Sequence, residues 1–213
     1  MAHWIHHVPL VVIDTETTGL SWHRDGIAEL AAVLLDGGVM TAEHVWLIDP
    51  GVPFSPEAAA ASGLTAAMVH GRPTFAEVAC DAMEMLAGRH PVAYNEVFDR
   101  SFLQGHVRRY LSPELERIFR ERVPALRYEV DWVDVLVWAR ELLGGLPDRK
   151  LGTVAAHLGV PLVNQHCALA DAKRAAEILI RLADRIPDDF DVMMAAQKAA
   201  NSRQAAVRAR RDW

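Results

Sequence analysis

Cysteine is nearly absent: Cys80 and Cys167 are the two in 213 residues, they lie far apart, and neither belongs to a CxxC pair. That pattern gives no support to a zinc or redox site. Long apolar runs are absent too, since none approaches the ~18 residues needed to cross a bilayer. The start of the chain lacks the basic residues and apolar stretch of a signal peptide, so a cytoplasmic protein is expected. Positive charge is in deficit, with 22 Lys and Arg against 28 Asp and Glu and a formal net charge of −6. A protein that coats duplex nucleic acid by counterion release needs the opposite balance. An acidic chain can still meet phosphate where clustered acids carry divalent cations. Neither an internal repeat nor a low-complexity linker is visible.

What remains is the balance of a compact globular chain, 51% hydrophobic and 23% charged, of a size for one domain. His7 to Ile13 is rich in Val, Leu and Ile and stops at an acid, which predicts a buried strand ending at a site. Ile27 to Leu35 and Val39 to Ile48 are further apolar segments around Asp36-Gly37-Gly38, residues suited to the positive φ of a tight hairpin. From Ser55 the pattern turns helical, and Thr74 with Glu77 forms a capping-box pair for a helix running to about Gly88. Pro91 to Tyr94 reads as a strand, followed by helices from Phe98 to Tyr110 and after Ser112-Pro113. Val130 to Val133 reads as a fifth strand leading into a helix that stops at Gly144-Gly145. Lys150 to Leu158 and Ala168 to Ile186 are helical, the second bounded by Pro187. A three-strand meander followed by strand-helix alternation predicts an α/β fold, a mixed five-stranded sheet flanked by helices. The expected organisation is a domain over residues 1–186 and a helical extension over 187–213. The extension ends with Arg203, Arg208, Arg210 and Arg211 against Asp212, either as a solvated helix or as a contact with substrate or a second subunit.

Three short segments carry chemistry. Asp14 and Glu16 are two apart on a strand, so both carboxylates face one side and can reach one cation. Thr17-Thr18-Gly19-Leu20 follows with hydroxyls, backbone N–H groups and an apolar residue. Asn95 and Asp99 lie where a strand gives way to a helix, and helix capping is the simpler role for Asp99 there. His166 precedes Asp171 by five positions, which on one helix would place them on different faces. His166 is therefore expected in the preceding loop if both serve one site.

Together these segments resemble the DEDDh exonucleases, the DnaQ-like family of 3′-to-5′ exonucleases with an RNase H-like fold. Val12-Ile13-Asp14-Thr15-Glu16-Thr17-Thr18-Gly19-Leu20 is similar to the family's first motif, Asn95 to Asp99 to the second, and His166 to Asp171 to the third. Ile27-Ala28-Glu29-Leu30-Ala31, Ser62-Gly63-Leu64-Thr65 and Leu151 to Leu158 add supporting matches, so the likeness runs from about Val11 to Leu182. The sister subfamily with a tyrosine would need it where this chain has Cys167. Tyr94 departs from the histidine found in many members.

The resemblance implies that Asp14, Glu16, Asp99 and Asp171 hold metal. Converging carboxylates repel by ~4 kcal/mol per close pair at a protein-like dielectric. An all-oxygen set favours Mg²⁺ or Mn²⁺, and two ions ~3.5 to 4 Å apart suit the attacking and leaving oxygens of a phosphodiester. His166, with an ordinary pKa near ~6.5, is the implied general base for the attacking water. The Thr17 backbone is expected to hold the terminal 3′ hydroxyl, Leu20 to wedge against the last bases, and Asn95 to lie close to substrate. The implied partner is a nucleic acid 3′ end, single-stranded, with a homodimer or a polymerase as protein partner and no membrane. The expected function is a free-standing 3′-5′ exonuclease acting on DNA or RNA. The alternatives are a proofreading subunit of a DNA polymerase and an RNA 3′-end trimming enzyme of the RNase T or oligoribonuclease kind. A binding module that kept the fold and lost the chemistry is disfavoured because all five residues are present. His3, His6 and His7 lie at a terminus, where residues are usually loosely ordered, and no role is expected of them. His70, His90, His106 and His157 are expected as surface or satisfied core groups, and Met83, Trp132 and Trp138 as packing.

Overall fold

A computed structural model describes residues 3–161 and 167–211 of the chain. In order come β1 (Leu10–Thr17), β2 (Ile27–Asp36), β3 (Val39–Leu47), α1 (Pro56–Ser62), α2 (Ala66–Val69) and α3 (Phe75–Leu86). They are followed by β4 (His90–Ala93), α4 (Glu96–Tyr110), α5 (Pro113–Arg122), β5 (Val133–Asp134), α6 (Val135–Leu142), α7 (Leu151–His157), α8 (Ala168–Leu182) and α9 (Phe190–Arg211). The strands form one sheet in the order β3-β2-β1-β4-β5. The meander β1-β2-β3 is antiparallel, whereas β4 and β5 run parallel to β1. This is the mixed, helix-flanked sheet that the alternation of segments predicts.

Strand β1 lies between two cores. Leu10 and Val12 pack with residues of α6, α7, α8 and α9, while Val11 and Ile13 pack with residues of α3, α4 and α5. Period-two alternation explains the split, and a strand buried on both faces is apolar throughout. On one face, Ala168, Ala172, Ala175 and Ala176 are buried, so α8 presents a small-residue stripe that lets its backbone approach the sheet. The hairpin between β2 and β3 turns on Gly37 (φ 64°) and Gly38 (φ 79°), a conformation that side chains with a Cβ resist. Helix α3 starts as its sequence predicts, with the Glu77 carboxylate accepting from the Thr74 N–H at 2.6 Å.

Some sequence-based expectations change, for physical reasons. The first strand does not stop at its acid: pairing with β2 continues through Asp14↔Ala31 and Glu16↔Glu29, so both carboxylates sit on regular strand. The fifth strand shrinks to Val133–Asp134, because β4 offers partners only at Val92 and Ala93. Helix α8 ends at Leu182 and tightens into a 3-10 turn at Ala183–Arg185 ahead of Pro187. The segment from His3 is not loose: Trp4 and Ile5 are buried, and the Trp4 N–H donates to the Asp188 carbonyl at 2.9 Å.

The first half of α9 packs closely onto the sheet domain. Met193, Gln197 and Ala200 are buried, and Gln197 accepts from the Asp134 N–H (2.9 Å) and the Trp138 indole N–H (3.1 Å) while donating to the Trp132 carbonyl (2.8 Å). Among the described residues, no helix is long and apolar enough to cross a membrane.

Candidate metal and nucleic-acid site

The acids converge because of how β1 outruns its parallel neighbour. Pairing of β1 with β4 ends at Val12, leaving the β4-facing edge of β1 open from Ile13 onward. Helix α4 begins in that gap. The Asp99 Oδ1 accepts from the Thr15 N–H (2.9 Å) and the Thr15 hydroxyl (2.8 Å), filling the edge that β4 vacates. Asp99 is therefore not a helix cap. The cap position belongs to Asn95, and Asp99 lies in the first turn. Its charge is favourable there, near the N-terminal end of the helix dipole.

Asp14 and Glu16 share the β1 face of Leu10 and Val12, the face against which α8 packs. Asp171 comes from the first turn of α8, and carboxylate oxygens of Asp14, Glu16 and Asp171 lie within 4.8 Å of one another. Arg174, one turn on and buried, pairs with Asp171. His166 lies outside the described residues, as do the side chains of Arg210 and Arg211.

The electrostatics follow from this crowding. Burial, then the carboxylates of Asp99, Glu16, Asp171 and Glu29, push Asp14 well above the ordinary aspartate range. Glu16 is pushed up to about 7 by burial and then by Asp171, Glu29 and Asp99. Asp99 rises to about 7 through burial, against the lowering effect of its Thr15 hydrogen bonds. Such a set destabilises its own charges and is relieved by a bound cation. Its donors are all oxygens, which fits a hard divalent ion. The acidic group is thus able to hold metal.

Around the acids, Asn95 adopts φ 72° and ψ 61°, the one positive φ outside glycine among the described residues. Its N–H donates to the Asp134 Oδ1 at 3.1 Å. A left-handed residue of this kind persists only where its surroundings hold it. The Thr17 hydroxyl is buried and donates to the Gly19 carbonyl at 2.6 Å. Leu20 is 88% exposed at the head of the loop that follows. That loop is anchored by Trp22 on α4 at Gly105, where a Cβ would come within 2.4 Å of the indole, and by Arg109, which donates to the Trp22 carbonyl at 2.7 Å.

Three residues of this neighbourhood were not singled out as site residues from sequence. Thr15 fixes Asp99. Asp134 fixes Asn95 and caps α6, a strand-end acid that repeats the pattern of Asp14. Glu29 is only 6% exposed, sits opposite Glu16 in register, and accepts from the Cys167 thiol at 3.4 Å. An acid inside an apolar strand was the available signal. The histidines behave as expected of core groups: buried His106 accepts from the Ile27 N–H at 3.1 Å, and burial lowers it to about 4.

A parallel core extended by an antiparallel meander, with acids from β1, α4 and α8 gathered at the end of β1, defines an RNase H-like frame. Comparison with known proteins agrees. A family model described as Exonuclease matches residues 11–179, and the chain belongs to that family, of DnaQ-like type. The DNA polymerase III PolC-type protein of Clostridium perfringens is 33% identical over 182 residues, covering 85% of this chain. The chain spans only 12% of that relative's length. The DNA polymerase III subunit epsilon of Aquifex aeolicus is 29% identical over 176 residues, covering 83% of this chain and 81% of the relative. The solved structure of exonuclease X in complex with 5′ overhanging duplex DNA superposes with a TM-score of 0.64 at 25% identity, covering 88% of this chain and 99% of that one.

Proposed function

We propose that this chain is a 3′-5′ exonuclease that hydrolyses the terminal phosphodiester bond of single-stranded DNA or RNA. The observation that carries the reading is the approach of Asp14, Glu16 and Asp171 oxygens to within 4.8 Å, with Asp99 locked beside them by Thr15. Asp14, Glu16, Asp99 and Asp171 are the proposed ligands of two Mg²⁺ or Mn²⁺ ions, which when bound stabilise the charge on the attacking and leaving oxygens. The sheet fixes Asp14 and Glu16, so their spacing is set before substrate arrives. His166 is the proposed general base that takes the proton of the attacking water, on the strength of its place five residues before Asp171. The Thr17 backbone is proposed to receive the terminal 3′ hydroxyl, exposed Leu20 to press against the last bases, and Asn95 to border the strand. These contacts read sugar, phosphate and base faces, so little sequence preference is expected.

A second reading, a proofreading subunit working beside a cytoplasmic polymerase, is favoured by the epsilon-subunit relative, of which this chain covers 81%. Residues 1–186 are proposed as the catalytic domain and 187–213 as a helical extension docked on it, available to a homodimer or polymerase partner. End-labelled oligonucleotides with Mg²⁺ test the main reading. A 5′ label should yield a descending ladder and a 3′ label an immediate labelled mononucleotide. No product from either DNA or RNA would overturn it. Co-purification with a polymerase would favour the second reading, and a stable homodimer alone would weaken it.

A further inference from the structure

The loop between β1 and β2, residues 18–26, is tied at its base and carries exposed groups at its tip. The Thr18 N–H donates to the Gly26 carbonyl and the Gly26 N–H to the Thr18 hydroxyl, both at 2.9 Å. Inside the loop, the Ser21 N–H donates to the Asp25 carboxylate at 2.8 Å, and the N–H groups of Arg24 and Asp25 donate to the Ser21 carbonyl. Leu20, His23 and Arg24 are exposed, and Trp22 is half-buried. The His23 imidazole stacks on the Trp22 indole, with ring centroids 3.4 Å apart. The indole in turn rests at Gly105, a residue type that helix interiors ordinarily avoid and that here makes room for it. Arg109 holds the Trp22 carbonyl. The ring pair is therefore fixed in place rather than free at the surface.

The pair sits beside a stripe of α4 that starts at the carboxylate centre. Val97, Ser101, Gly105 and Arg108 follow one another at i, i+4, i+8 and i+11, one face of a helix. Val97 and Arg108 are exposed, and Val97 is two residues from Asp99, which reaches Thr15. From Val97 to Arg108 the stripe is ~16 Å long. Leu20 and Trp22 are two residues apart, no more than ~7 Å of chain. Leu20, proposed above to press on the last bases, thus has the ring pair next to it. Of the nearby cations, Arg100 pairs with Glu96 at 3.0 Å, while Arg24 and Arg108 enter no ion pair among the described residues. Rings beside exposed cations hold a single strand without reading its sequence, the bases on the rings and the phosphates on the cations. Fixing the rings beforehand spares the side-chain ordering that binding otherwise costs.

We propose that Trp22 and His23 form a stacking subsite for the nucleotides on the 5′ side of the one at the carboxylate centre, with Arg24 and Arg108 taking their phosphates. The proposal rests on the exonuclease reading for which end of the strand lies at Asp14. Stacked bases follow one another at ~3.4 Å, so a strand pressed by Leu20 reaches the rings within about two further steps. Every base presents a flat face, so the subsite takes DNA and RNA alike and favours strands long enough to reach it.

The test is fluorescence anisotropy of the full chain in Ca²⁺, which oxygen donors accept, with a 5′-labelled oligothymidylate of about 6 nucleotides confirmed intact after each measurement. A second strand lacks the bases of its second to fourth nucleotides from the 3′ end. Wild type should bind the abasic strand at least about fivefold more weakly, the loss of one stacked base or more. His23→Ala, a change at an exposed position, should weaken binding of the intact strand by about the same factor and lose little more on the abasic one. His23→Phe, which keeps a ring, should recover most of the affinity. Arg108→Ala should lower the salt dependence by ~0.7 in log-log slope; an unchanged slope would remove Arg108 from the subsite. No abasic penalty in wild type, wild-type affinity in His23→Ala, or an equal abasic penalty in both proteins would overturn the subsite and leave the rings to a protein partner. Hydrolysis of the intact strand and its RNA counterpart in Mg²⁺ is scored separately. If hydrolysis occurs while neither His23 nor the missing bases matter, the subsite alone falls; if both matter and neither strand is hydrolysed, the exonuclease reading alone falls.

Discussion

The carboxylate centre at the end of β1 and the Gln197 cluster under α9 both hold polar groups in the interior, and they do so on opposite principles. The Gln197 side chain is answered at both ends: two N–H donors reach its oxygen and its amide reaches a carbonyl. Around Asp14 the neighbours are other acids, and the Thr15 bonds to Asp99 offset only part of the repulsion. A satisfied network stabilises the fold, whereas an unsatisfied one is held in place by the fold and stabilised by what it binds. Asp134 joins the two centres, its N–H given to Gln197 and its carboxylate receiving the N–H of Asn95.

The difference implies opposite responses to mutation. Asp14→Asn should lower the exonuclease rate at least about a hundredfold, since a proposed metal ligand is lost. The same change should leave the melting temperature of the metal-free protein unchanged or raise it by about 2 to 4 °C, as ~1 kcal/mol does in a chain this size. A marked fall in stability would place Asp14 among the structural groups. Gln197→Ala should act in reverse. Stranding two N–H donors and a carbonyl should cost about 2 to 4 kcal/mol, measurable by urea unfolding, with the rate at low temperature nearly retained.

Proton linkage gives a third contrast. Glu16, Asp99 and Glu96 are held at about 7, against ordinary values of 4.5, 3.8 and 4.5. The folded chain therefore keeps protons that the unfolded chain has released, and stability falls as pH rises from the ordinary values through about 7. His90 and His106, lowered by burial from 6.5 to about 4, work the other way within that lower window. Between about pH 6.5 and pH 7.5 the carboxylates dominate, so the melting temperature in EDTA should drop by a few degrees. Mg²⁺ should restore it; a drop of the same size with saturating Mg²⁺ would separate the repulsion from metal binding. The smallest effect is at Leu20, which is 88% exposed. Leu20→Ala should leave stability within ~0.5 kcal/mol while weakening single-strand binding about threefold, read by anisotropy.

The same contrast explains what sequence could reveal. The acids were legible because their chemistry needs particular residues at particular spacings: Asp14 and Glu16 two apart on a strand, Asp171 opening an Ala-rich helix. The meander and its hairpin were legible from alternation and from Gly37-Gly38. The means by which Asp99 reaches the site was not, since it depends on β4 ending early and freeing the Thr15 N–H. Capping preference alone pointed to a different role for Asp99. The Gln197 cluster was invisible for a related reason. A glutamine in an Ala-rich, Arg-tipped segment reads as solvated until the indole N–H of Trp138 and the carbonyl of Trp132 are brought to it from more than fifty residues away. Trp4 and Ile5 repeat the lesson at the other terminus, where packing against the Ile186–Asp188 turn overrides the usual looseness of chain ends.

Calorimetric titration of Mn²⁺ into the metal-free protein at about pH 8 measures most directly whether the gathered carboxylates are a cation site. Wild type should bind two ions per chain with release of protons, and Asp14→Asn should lose at least one of them. Identical isotherms for the two proteins, or no binding by wild type at millimolar Mn²⁺, would contradict the account.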